Sequence, residues 1–308
     1  MTWNVQIGIN PISWMNDDLP SLGGETPLET ALREGKEIGY AGFELGNKFP
    51  KDGPGLKAKL DEFGLACVSG WYSGFLAEVA AGQDDVQSVA AEIERCKEHM
   101  SRLQFNGVKV VVYGECAGTV QGQIDTPVSK RPTFANDGLW QGYAQRLNAF
   151  GEHLLKTYDI KLAYHHHMGA YVESPADIDK LMALTDPDKV FLLFDTGHAY
   201  FGGAAEPVEL LKRHLKRIVH VHCKDVRTSV ISKARNDGWS FLNGVINGTF
   251  TVPGDGSIDF KDVLTALKGA GYEGWLVVEA EQDPAVAPSY EYAKKGFDTL
   301  RSLVNSLN

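Results

Sequence analysis

Short apolar runs that end on an acid or a histidine recur along this chain, and amphipathic stretches separate them. Phe191 to Phe194 is the clearest run, four apolar residues too few for a helix, followed at once by Asp195, Thr196, Gly197 and His198. Such a run predicts a strand buried on both faces. The same pattern predicts strands at Val5 to Asn10, Ala41 to Leu45, Leu65 to Trp71, Val108 to Glu115, Ile160 to His167, Arg217 to Asp225 and Gly274 to Glu281.

The stretches between them have helical period. Thr26-Pro27-Leu28-Glu29 predicts a helix start with Thr26 as N-cap and Pro27 in the first turn, running to Gly39. Further helices are expected near Gly55 to Phe63, Asp84 to Phe105, Asp137 to Tyr158, from Ser174-Pro175, near Glu206 to His214, Phe260 to Ala270, and Ser289 to Leu307. Two segments lack periodicity and are expected as long loops: Gly118 to Gly138, a candidate substrate lid, and Val226 to Gly256. Eight strands, each followed by a helix, in 308 residues predict one closed (β/α)8 barrel domain, a TIM barrel, spanning 1–308. An open doubly wound sheet is disfavoured, because no GxGxxG follows the first strand.

Composition narrows the function. Apolar residues make up 43% and charged residues 23%, a soluble globular balance. A net charge of −10 and a pI near 5.4 argue against nucleic acid or an anionic membrane as partner. The first ten residues lack the basic region and apolar core of a signal peptide. Cys67, Cys96, Cys116 and Cys223 show no paired spacing, so a reducing, cytoplasmic setting is expected. A homo-oligomer is left open.

In a barrel, polar residues at strand C-termini share one mouth. Here they are Glu44, Glu115, His165, His167, Asp195, His222 and Glu279. His165, Asp195, His222 and Glu279 come from four successive strands, and two imidazoles with two carboxylates suit Mn²⁺, Co²⁺, Zn²⁺ or Fe²⁺. Alternation puts His165 and His167 on one face and His166 on the other, so either of the first two qualifies as ligand. The same alternation joins His220 to His222 and Glu281 to Glu279. Taken singly, each has an ordinary explanation: Asp195 as a helix N-cap, the histidines as a surface loop, Glu44 as a solvated strand end.

The segments DTGH, HVHCKD and VVEAE resemble the xylose isomerase-like barrel family, which includes sugar isomerases, epimerases and an abasic-site endonuclease. The resemblance implies a divalent metal held by Glu, Asp, His and Glu. Asp195, His222 and Glu279 fall on the last three positions, with His165 in place of the first Glu. The blocks GINPISWMNDDLPSLGGETPLE, GYAGFELGNKFP and YHHHMGAYVES resemble the branch that dehydrates a keto form of inositol. That likeness covers nearly the whole chain and implies a lyase acting on a cyclic polyol ketone, with Mn²⁺ or Co²⁺ and with glutathione as a further cofactor.

Such a dehydration removes a proton α to the ketone and expels the β-hydroxyl, which calls for a base and an acid. Glu44, His198 and Lys224 are the candidate catalytic groups. Asn10, Trp14, Trp71, Tyr113, His167 and Glu281 are the candidate substrate contacts, the aromatic rings against the C–H face of the substrate ring. The competing reading is a metal-dependent keto-sugar isomerase or epimerase, which shares the α-proton removal.

Overall fold

The structure is a computed structural model that describes residues 3–308. Its strands and helices alternate as β1 (Val5–Ile9), α1 (Leu28–Ile38), β2 (Gly42–Leu45), α2 (Gly53–Phe63), β3 (Ala66–Gly74), α3 (Asp85–Phe105), β4 (Val110–Glu115), α4 (Asp137–Tyr158) and β5 (Lys161–His165). The chain continues through α5 (Pro175–Leu184), β6 (Val190–Asp195), α6 (Thr196–Phe201), α7 (Pro207–His214) and β7 (Ile218–Cys223). Then follow β8 (Asp225–Val226), α8 (Thr228–Asp237), α9 (Phe241–Ile246), β9 (Phe250–Thr251), α10 (Phe260–Gly269), β10 (Gly274–Val278) and α11 (Ser289–Leu307). Eight parallel strands close in the order β1-β10-β7-β6-β5-β4-β3-β2, the barrel expected from the alternation. Among the described residues no helix is long and apolar enough to cross a membrane.

Two layers hold the barrel. Inside it, Val112, Ala163 and Leu193 pack with Trp71, Val110 and Val219. Outside, strand side chains such as Phe43, Tyr113, Tyr164 and Phe194 meet the helices in one large core. This alternation along each strand decides which side chains reach the mouth.

Helix starts follow local capping. Asp84 and Ser174 form capping boxes, and Asn136 caps α4. The first helix differs from expectation: α1 begins at Leu28 with Pro27 at the cap position and no side-chain cap, so Thr26 lies outside it. The segment 226–256 is not a loop. It holds α8, α9 and the antiparallel pair β8–β9, closed around an apolar cluster of Phe201, Val226, Ile231, Phe241, Leu242, Val245 and Phe250. Asp225 clamps this insertion by accepting from the amides of Val226, Gly254, Gly256 and Ile258 at 2.8–3.2 Å.

The Gly118 to Gly138 segment is irregular, as expected, apart from one turn of 3-10 helix. Arg131 ties it over the mouth through Asp177 at 2.8 Å and the carbonyl of Tyr171 at 3.0 Å.

Candidate metal centre and active site

Register in the barrel brings the donors together. Asp195 and His222 are direct partners across β6 and β7, and Glu279 follows β10, the next strand. His165 ends β5 on the other side. One ligand atom from each of His165, Asp195, His222 and Glu279 lies within 4.8 Å of the other three, and all four residues are buried. Asp195 Oδ2 is 3.6 Å from His165 Nε2 and 3.5 Å from His222 Nδ1. Donors about 2.1 Å from a common tetrahedral centre are roughly 3.4 Å apart; the Asp195 pairs match that spacing, whereas His222 Nδ1 and Glu279 Oε2 stand closer and would have to part to admit a cation.

The orphaned atoms are the test of that fit. Asp195 Oδ2, His222 Nδ1 and Glu279 Oε2 are buried without a well-formed hydrogen bond, and the last two are pressed directly against each other. Three such polar atoms aimed at one point are costly unless something occupies it. Two of the ligands, Asp195 and His222, also have an anchor, whereas His165 Nδ1 is buried without a partner. Asp195 Oδ1 accepts from the amide of His198 at 2.7 Å, so the N-cap explanation is correct and leaves Oδ2 free for the site. His222 turns Nε2 toward Glu44 Oε1 at 3.1 Å, which fixes the ring with Nδ1 toward the site; against burial, Glu279 and Glu44 hold this imidazole well above its ordinary value. His220 Nε2 meets the same oxygen at 2.7 Å, and Asn10 Nδ2 donates to Glu44 Oε2 at 2.9 Å.

Charge accounts for the titration of the group. Burial opposes ionisation of Glu44, yet His222 and His220 hold its carboxyl well below the usual range. Glu279 is held down to about 2 against burial by His222 and Lys224. Lys224 is fully buried, with Nζ 2.7 Å from Glu281, 3.2 Å from Glu279 and 3.5 Å from Asp195. Burial works against its charge, but Asp195, Glu279 and Glu281 hold it above the ordinary lysine value, so it is an ammonium. Three buried carboxylates, Asp195, Glu279 and Glu281, then face one lysine, which favours a divalent cation at the centre.

A cavity of about 340 Å³ opens beside these residues, a volume suited to a small ring. Asn10, Trp71, His167 and Glu281 line it, as expected for substrate contacts, and so does Glu44. The Trp71 ring stands edge-on to His165 and His167. His167 directs Nδ1 to the carbonyl of Met168 at 2.8 Å, leaving Nε2 unprotonated. Burial, with His165 beside it, pushes its pKa down to about 3, so the imidazole is neutral.

The remaining expected site residues lie elsewhere. Trp14 is buried against Phe43, with Nε1 donating to Glu34 at 2.6 Å; it is a core residue and not a cavity wall. Tyr113 points out of the barrel into Phe150 and Tyr164, because its neighbour Val112 takes the inward place. Glu115 points the same way and accepts from Tyr113, Tyr143 and the amides of Leu76, Ala77 and Ala117, so it does not share the mouth. His198 and Lys224, expected as catalytic groups, sit behind the wall. Lys224 Nζ is 3.0 Å from His198 Nε2, and the His198 ring lies 4.1 Å from that of His167. Gly197 makes room for this arrangement, since a Cβ there would fall 2.6 Å from Lys224 Cγ.

Other groups at the site were not foreseen. Phe241 packs on His167 at 4.7 Å, and Phe250 lies under Lys224 at 4.8 Å, both from the insertion. Asp17, Asp18, Asn47, Ser73 and Gln121 also line the cavity. The run Asn16-Asp17-Asp18 reads only as turn chemistry in the sequence, although three polar residues after a strand end were a usable signal.

Residues 32–303 match the xylose isomerase-like TIM barrel. The chain belongs to that family. Among its relatives, the rhizopine catabolism protein MocC of Rhizobium meliloti is 46% identical, over 96% of this chain and 88% of its own. Proteins named inosose dehydratase from Clostridium botulinum and Geobacillus thermodenitrificans are 44% and 45% identical over at least 95% of both chains. Solved family structures include the IolI protein with a binding zinc atom, at a TM-score of 0.66 and 17% identity, covering 98% of each chain. A 3-DHS dehydratase from Bacillus anthracis superposes at a TM-score of 0.66 and 13% identity, over 96% of this chain and 98% of that one. Likeness at those identities speaks for the fold alone.

Proposed function

We propose that this chain is a hydro-lyase of inositol catabolism that dehydrates scyllo-inosose, the 2-keto form of myo-inositol, to 3D-3,5/4-trihydroxycyclohexane-1,2-dione. The observation that carries the reading is the near full-length similarity to proteins named inosose dehydratase. The converging donor set at the mouth makes it chemically coherent.

His165, Asp195, His222 and Glu279 are the proposed ligands of a divalent ion, Mn²⁺ or Co²⁺, which would supply Lewis-acid polarisation of the ketone. Glutathione enters only through the family resemblance, and no residue is assigned to it.

The chain's own groups divide the proton work. His167 faces the cavity as a neutral imidazole with a free Nε2 and is the proposed base for the α-proton. Glu281 lines the same cavity, and burial raises its carboxyl to about 8, so it is the proposed acid for the departing hydroxyl. Lys224 holds Glu281 in place, and His198 braces both Lys224 and His167. Glu44 fixes the orientation of His222 and is a positioning residue in this scheme. Asn10 and Trp71 complete the wall around the ring.

Incubating the metal-loaded protein with scyllo-inosose tests the reaction. A product lighter by one water is expected, and loss of activity with chelator should be reversed by added Mn²⁺ or Co²⁺. An unchanged substrate would sink the assignment.

A further inference from the structure

The cavity has a second arm away from the metal ligands, where β2 and β3 lose register between Phe43 and Leu45. Lys51, His99 and Arg102 line it, with Asn47 at the join. Three basic side chains are buried in this protein: Arg102, Arg146 and Lys224. Arg146 meets Asp85 at 2.7 Å and Lys224 meets Glu281 at 2.7 Å. Arg102, only 9% exposed, has no carboxylate partner among the described residues. Its Nη1 donates to the carbonyl of Pro50 at 3.2 Å, its Nη2 meets His99 Nδ1 at 2.9 Å, and its Nε finds no acceptor. Lys51 stands nearby with Nζ bonded only to the carbonyl of Asn47 at 2.6 Å. Asp17 and Asp18 line the same cavity; Asp17 accepts from the amide of Asn47 at 2.8 Å and its charge also reaches Lys51.

A buried guanidinium without a counter-charge is expensive. Its planar fork is suited to carboxylate or phosphate oxygens. A neutral polyol ketone offers no such group, so the substrate of the proposed reaction leaves this arm unused.

We propose that this lateral arm is an anion-binding site, with Arg102 and Lys51 holding the carboxylate or phosphate group of a small molecule and His99 forming its wall. The site stands on geometry independent of the dehydratase reading.

Calorimetric titration of the full-length protein with inorganic phosphate, at ionic strength fixed with chloride, tests it without any turnover. Saturable binding at one site is expected. Lys51→Ala, at an exposed position outside the core, should weaken binding about tenfold or more. Arg102→Gln should remove it, with circular dichroism reporting whether that variant is folded. Phosphate held at the metal ligands instead would bind Lys51→Ala as tightly as the parent, and that result overturns the proposal, as does the absence of saturable binding. Inhibition by phosphate competitive with scyllo-inosose would assign the arm to an anionic ligand spanning both arms. Binding that leaves KM unchanged would assign it to a separate effector.

Discussion

Asp195, His222 and Glu279 stand at strand ends held by the barrel ladder, whereas Phe241 and Phe250 reach the same site from an insertion held by its own apolar cluster. The first group is ionic, and two of its ligands are anchored by a neighbouring residue, through His198 N for Asp195 and Glu44 for His222. The second group is apolar and gains its order from burial, within an insertion that the β8–β9 pair and the Asp225 clamp also hold. The strand ends therefore set which atoms meet the cation, and the insertion sets how dry and how rigid the imidazoles beside it are. Low local polarity keeps His167 and His198 neutral, since burial is the leading cause of both depressed pKa values.

Substitutions that hit one region and spare the other sharpen this contrast. The largest effect is expected from Asp195→Asn, which keeps an oxygen for the cap but loses the ligand charge. Metal should be lost and activity should fall roughly a thousandfold or more, as removal of several kcal/mol of Lewis-acid stabilisation implies. Asp195→Ala should lose the metal equally and cost about 1 kcal/mol more in stability, because the cap goes with it. Metal stoichiometry and thermal unfolding of the two variants separate these contributions.

Phe241→Ala attacks the cover. A large-to-small change in a buried cluster should cost about 3–5 kcal/mol, while metal content of the folded protein stays at the parent level. Loss of metal in step with loss of stability would erase the distinction between the regions. Glu44→Gln tests the anchoring of His222. Metal affinity should drop about 10–100-fold, and turnover at saturating metal should recover, as competition against a chromophoric chelator and kinetics at high metal would show. Trp14→Phe should have the smallest effect. It loses the bond to Glu34, worth about 1–2 kcal/mol, and KM should not change, since the ring lies in the core and not against substrate.

Much of this was legible in the sequence, and the failures share a cause. Period-two alternation through LAYHHH and HVHC pointed to His165, His167, His220 and His222 as site-facing residues, and the structure has them there although β5 ends at His165 and β7 shifts register against β6. Applied to Val112-Tyr113, the same rule turns Tyr113 outward, as the structure has it. Trp14 follows a 3-10 turn at Pro11–Ser13, where strand period no longer holds. The insertion was missed because α9 is six residues long, interrupted by Gly244 and bounded by Ser240 and Asn247, a length at which helical period is hard to see. Lys224 reads in sequence as a catalytic group at the mouth, but three converging carboxylates hold it buried behind the cavity wall. The anion arm draws Lys51 from a loop and His99 with Arg102 from α3, so no strand-end pattern could join them.

The central claim is that the ionic group at the strand ends serves a dehydration, and product mass tests it most directly. The metal-loaded protein with scyllo-inosose should yield a product lighter than its substrate by one water, absorbing in the ultraviolet as an enolised dione. A product of unchanged mass, isomeric with the substrate, would contradict the lyase assignment and move the chemistry to isomerisation or epimerisation at the same centre.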